Sequence, residues 1–175
     1  MKICSALLMA AVAFAGEPPP PGLAQASAGK LAELKLTPAA KPEPPAADPN
    51  LPRPTRIGEH RRIDAALWKK RGSWFKTKSG TAVWRVAVRS AGAAALRVHF
   101  REFNVGAGQV WVHNGKDFTG PFTGTGLYPD GDFWAAVIGG DRIVVEYQPA
   151  EGAKATGTPP LSVPEVSHLT VNPLL

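Results

Sequence analysis

The chain has 175 residues, a net charge of +6, 18 prolines, 18 glycines and a single cysteine, Cys4. That length accommodates one domain of ordinary size plus a tail. One cysteine excludes intrachain disulfide staples and cysteine-based metal sites, so an ordinary apolar core has to supply the stability.

Met1 and Lys2 form a short positive start, Ile3 to Phe14 carry no charge, and Ala13-Phe14-Ala15 places small residues at the −3 and −1 positions. This pattern predicts a secretory signal peptide over 1–15, cut before Gly16. The apolar run falls short of the roughly 20 residues that a membrane span needs, and no later stretch reaches that length. Cys4 leaves with the signal peptide, and the charge of the mature chain falls to +5 without Lys2. Secretion to the periplasm or the extracellular space follows, with no transmembrane segment in the mature chain.

Residues 16–56 read as a Pro/Ala-rich linker, with Pro18 to Pro21, Pro38, Pro42, Pro44, Pro45, Pro49, Pro52 and Pro54. Proline at this density removes backbone donors and favours extended polyproline II. Within it Leu31, Leu34 and Leu36, interleaved with Glu33 and Lys35, predict a short helix or strand that docks on the body. Between Arg53 and Lys78 nine Lys/Arg face only Glu59 and Asp64. This stripe is read as a solvated, solubilising surface, with no nucleic acid expected as a partner. Ile63, Ala66 and Leu67 have the spacing of one helical turn, which is marginal alone.

From Ser73 the hydrophobic period becomes two. Trp84, Val86 and Val88 alternate with Arg85, Ala87 and Arg89. Leu96, Val98 and Phe100 alternate with Arg97, His99 and Arg101. Val110 and Val112 flank Trp111, and Ile143, Val145 and Tyr147 flank Val144 and Glu146. Such alternation predicts strands with one buried face. Turn-formers separate the runs, among them Asn114-Gly115 and Pro129-Asp130-Gly131. The expected fold is all-β: an antiparallel β-sandwich or jelly roll of about seven or eight strands over 57–171, with a tail at 172–175.

The order of short motifs then resembles a known module. Gly80-Thr81-Ala82-Val83-Trp84-Arg85-Val86, Ser90-Ala91-Gly92-Ala93 with Leu96 to Phe100, Gly120-Pro121-Phe122-Thr123-Gly124, Asp130-Gly131-Asp132-Phe133-Trp134, Gly140 to Tyr147 and Val166-Ser167-His168-Leu169 follow one another. Together they resemble the non-catalytic N-terminal β-sandwich of bacterial secreted trypsin-like serine proteases of the lysyl-endopeptidase type. The resemblance implies an accessory or pro-domain that binds, helps to fold or positions a trypsin-like catalytic domain. With the chain ending at Leu175, it also implies a truncated or split protease. No catalytic residue is carried over.

Direct tests for chemistry agree. No serine lies in a G-x-S-x-G elbow, and there is no H-E-x-x-H zinc motif. His99 and His113 fall on the polar phase of their strands and are expected to face solvent, with Glu102 and Asp117 as possible partners. His168 stands beside Ser167 with no acid near it in sequence. Asp130, Asp132 and Asp141 lie in or beside loops where calcium is conceivable, although turn formation is the expected role and no cofactor is assigned. Trp111 and Trp134 are out of phase with their apolar neighbours. If they reach one outer face they form a platform for sugar rings, which makes a carbohydrate-binding jelly roll with a polysaccharide ligand the alternative function.

Overall fold

The computed structural model describes residues 17–23, 31–37 and 56–175. The expected signal peptide lies outside the described residues, as does most of the linker. Among the described residues, eleven strands form two facing sheets and one short helix lies beside them. The fold is the expected all-β sandwich, with more strands than the seven or eight predicted. The surplus comes from pieces too short to show a period: β1 (Glu33–Lys35), β8 (Phe133–Trp134) and β9 (Ile138–Gly139).

The first sheet centres on β4 (Ala82–Arg89), β10 (Arg142–Gln148) and β6 (Gln109–His113), which pair antiparallel, with β7 (Phe118–Phe122) beyond β6. The other edge of β4 is shared. β3 (Ser73–Lys76) runs antiparallel along Ala82 to Arg85, and β1 runs parallel along Ala87 to Arg89. The second sheet centres on β11 (Ser162–Leu169), flanked by β2 (Gly58–Arg62) and β5 (Ala95–Arg101). β8 and β9 divide the far edge of β5 between them.

The inner faces follow the sequence period. Trp84, Val86, Val88, Val110, Val112, Ile143, Val145 and Tyr147 from the first sheet meet Leu96, Val98, Phe100, Phe133, Val163 and Val166 from the second. Phe100, Phe103, Phe122 and Phe133 close one end as a cluster, with ring centroids 5.2–5.9 Å apart in tilted and edge-on arrangements that suit the ring quadrupole. A register shift between Ser162 and Glu165 lets both Val163 and Val166 point inward.

Two expectations change at the edges of this core. The helix α1 (Ala65–Arg71) is capped by the Asp64 carboxylate, which accepts from the Leu67 N–H at 2.9 Å. Its anchor is Trp68, stacked at a tilt on Trp84, while Leu67 is 45 % exposed. The one-turn spacing of Ile63 and Leu67 therefore identified the helix but not the side that packs. The strands β4, β6 and β10 are also buried on both faces, not one.

The leader adds an edge strand to the inner core. Leu34 of β1 enters the core and Leu36 packs against it. The docking element expected around Leu31 to Leu36 is thus a parallel edge strand. Truncating buried Leu34→Ala is expected to lower the unfolding free energy by about 2–3 kcal/mol through the lost transfer energy and cavity. Exposed Lys35→Ala is expected to stay within about 0.5 kcal/mol. Urea denaturation of the two variants measures the difference.

Candidate functional site

On the outer face of the first sheet, cross-strand register sets Glu146 of β10 between Arg85 of β4 and Trp111 of β6. Period two sends these side chains away from the core, yet all three are buried. The cover is the leader segment 17–23, which lies across the sheet. The Trp111 indole N–H donates to the Pro18 carbonyl at 3.0 Å. The Gly22 N–H donates to Glu146 Oε1 at 2.7 Å. A Cβ at Gly22 would overlap Glu146 Oε2, so any larger residue requires the buried, ion-paired carboxylate to shift.

The other carboxylate oxygen, Glu146 Oε2, is 3.2 Å from Arg85 Nε and 3.6 Å from His113 Nε2. Burial pulls the Arg85 guanidinium below its ordinary pKa, and the Glu146 charge offsets only part of that lowering. Arg85 also lies over the Phe75 ring at 5.8 Å. The expectation that His113 faces solvent is corrected here, because its strand's polar phase is covered and the ring is fully buried. Asp117 is not its partner; that carboxylate bonds Asn114 in the adjoining turn.

The outer face of the second sheet carries a different cluster. His99 Nε2 is 2.6 Å from Asp132 Oδ1 and its Nδ1 is 3.1 Å from Glu165 Oε1. His60 lies 3.5 Å from the other Glu165 oxygen. The Trp134 ring stacks on His99 with centroids 4.5 Å apart and planes 7° from parallel, and Arg97 lies over it at 5.6 Å. His99 is thus also buried, against the solvent-facing expectation, because Trp134 and two carboxylates enclose it. Its partners are Asp132 and Glu165 and not Glu102. Hydrogen bonds from His99 and Arg101, against a smaller opposing effect of burial, hold the Asp132 carboxyl below its ordinary pKa.

A third cluster closes one end of the sandwich. Glu59, Arg61 and His168 fall on the inner phase of β2 and β11, since Arg61 pairs with Val166 and Glu59 with His168. Arg61 donates to Ser90 Oγ at 2.7 Å, and Ser90 Oγ meets His168 Nδ1 at 2.8 Å. This Ser–His contact was not legible in sequence, because 78 residues separate the pair. The hydroxyl is fully buried and the charged group bonded to it is the Arg61 guanidinium, which also holds the Glu59 carboxylate opposite His168. Burial, then the Arg61 charge, lowers the His168 pKa from its ordinary 6.5.

The sequence candidates for ligand binding fall apart in space. Trp111 belongs to the outer face of the first sheet and Trp134 to that of the second, so the pair makes no common platform. Trp111 is 1 % exposed, whereas Trp134 is half-buried. Asp132 bonds His99 and Arg101, Asp130 accepts from the Asp132 N–H, and Asp141 pairs with Arg89. No group of three or more His, Cys, Asp or Glu among the described residues is placed to hold a metal ion. A cleft of about 550 Å³ lies beside α1, lined by Trp68, Asn104, Pro160 and Glu102, the last a non-glycine residue at φ 53°. No helix among the described residues is long and apolar enough to cross a membrane.

With this geometry established, comparison with known proteins adds one match. The family model described as the lysyl endopeptidase N-terminal domain matches residues 27–170. No curated protein and no solved structure matches the chain.

Two outcomes follow from the buried clusters. Glu146→Ala strands the Arg85 charge without its partner, and a loss of about 3–5 kcal/mol is expected in chemical denaturation. His168 binds its proton less readily folded than unfolded, so its contribution to stability is complete above 6.5 and declines as pH falls below that value towards the lowered native pKa. Unfolding free energies measured from about pH 7 to about pH 5, across the ordinary histidine value of about 6.5, should fall with acid. His168→Gln is expected to flatten that slope.

Proposed function

The chain belongs to the lysyl endopeptidase N-terminal domain family, and we propose that it is an exported, non-catalytic accessory or pro-domain that binds a trypsin-like catalytic domain and assists its folding or positioning. The observation that carries the reading is the family match over 27–170, nearly the whole of the two-sheet body. The chemistry of the clusters supports a binding role. Their histidines and carboxylates are turned towards one another or towards arginines, and the Ser90 hydroxyl is sealed inside.

The outer face of the second sheet suits a protein partner. Arg62, Arg97 and Arg101 are exposed there, with His60 beside the half-buried Trp134. Arginine and tryptophan dominate the energetics of protein interfaces, through a large apolar area and planar charged donors. On this reading the signal peptide takes the chain out of the cell, and the partner is the secreted catalytic domain of the same protease type.

A polysaccharide ligand is the second reading. Of the two tryptophans first considered, only Trp134 has exposed surface for a sugar ring, and His99 already occupies one of its faces.

Mixing the exported chain with the catalytic domain of a lysyl-endopeptidase-type protease tests the proposal. A complex on size-exclusion chromatography, or a raised refolding yield of the catalytic domain, is expected. Trp134→Ala should weaken binding about tenfold or more, as truncation of an interface anchor does. Absence of both a complex and a gain in yield would refute the accessory role. A shift of tryptophan emission on titration with polysaccharides, absent in Trp134→Ala, would favour the second reading.

A further inference from the structure

The segment 17–23 is held on the outer face of the first sheet. It belongs to no strand, and its main chain bonds sheet side chains: the Trp111 indole N–H donates to the Pro18 carbonyl, and the Gly22 N–H donates to Glu146. Between those two points Pro20 is buried, and the chain turns through a Leu23 N–H to Pro20 carbonyl bond of 3.0 Å. The family match begins at residue 27, beyond this segment, and takes in all eleven strands.

We propose that the outer face of the first sheet is a binding site for extended proline-rich peptides, which the chain fills with its own residues 17–23. Each contact selects a feature of such a ligand. A proline run has no N–H to satisfy its own carbonyls and is held near φ −65° by its rings, so it presents free acceptors at low entropic cost. An indole N–H is a donor without acceptor function and reads one of those carbonyls. Aromatic-lined grooves recognise proline-rich segments on this physical basis. The buried Glu146 carboxylate then requires an N–H donor, which no residue inside the proline run has.

Glycine at 22 supplies that donor and leaves room for the carboxylate. The site therefore reads a proline carbonyl, a buried proline two residues later and a glycine two residues after that. Pro18, Pro20 and Gly22 provide this spacing. The segment acts as a tethered ligand, which a peptide of the same sequence can replace.

The experiment uses the full exported chain and a labelled synthetic peptide of residues 16–23. Gly22→Val should eject the tethered segment by steric overlap with Glu146 while the core strands keep their inner packing. Fluorescence anisotropy is expected to show saturable peptide binding to this variant. Binding to the wild-type chain should be about tenfold weaker or less detectable, because a tethered competitor sits at millimolar effective concentration. Adding Trp111→Phe to Gly22→Val should abolish the binding. A folded Gly22→Val chain that ignores the peptide would overturn the proposal.

Hydrogen exchange on the wild-type chain gives a second test if that variant does not fold. The Gly22 amide is expected to exchange through local opening, at least tenfold faster than the amides of β4, β6 and β10. Exchange of Gly22 only together with those strands would mark the segment as an integral part of the fold and overturn the inference.

Discussion

A carboxylate placed at the middle of a covered sheet face organises this protein. Glu146 sits on the central strand of the first sheet, pointing away from the core, with no surface left to water. A lone buried charge is prohibitively unfavourable, so its oxygens must be matched by donors. One oxygen takes the Gly22 N–H, and the other faces Arg85, with His113 just beyond. Those requirements bring the leader over the sheet, fix a glycine at the contact and keep an arginine buried on the neighbouring strand. An exposed glutamate at the same position would impose none of them.

The two sheets use the same alternating strands differently. In the second, arginines on the outer phase of β5 remain in water, and the histidine between them is enclosed by Trp134 and two acids. In the first, both phases of β4, β6 and β10 are removed from solvent, which makes this sheet a middle layer between the core and the leader. β1 strengthens that arrangement by pairing with the edge of β4 next to β3. The edge is thereby occupied over most of its length, which removes a row of free backbone groups able to recruit another chain.

Polar clusters lie in three separate places. Those around His99 and Ser90 are joined by hydrogen bonds, whereas Glu146 Oε2, Arg85 Nε and His113 Nε2 meet only as ion-pair neighbours. The inner-face network of Glu59, Arg61, Ser90 and His168 closes one end of the core. Its serine hydroxyl is fully buried and bonded to Arg61, which also holds Glu59, the residue opposite His168. His99, His113 and His168 are buried, whereas His60 stays exposed beside Glu165. The exposed arginines and Trp134 are the groups on which the proposed partner contact rests.

Local sequence determined the elements whose physics is local. Period-two alternation fixed which of Trp84, Val86, Val88, Leu96, Val98 and Phe100 face inward, and turn residues fixed where the strands stop. The leucines at 31, 34 and 36 were enough to mark a docking element in a proline-rich leader. The order of motifs was enough to place the family. What lay beyond reach depended on contacts between residues far apart in the chain. Whether an outward phase meets water is decided by what covers it, and the cover over Trp111 and Glu146 comes from 93 and 124 residues away. Tertiary structure alone therefore buried His99 and His113, separated Trp111 from Trp134 onto different sheets, and joined Ser90 to His168. Alternation records the two sides of a strand, and only the assembled fold determines which side is covered.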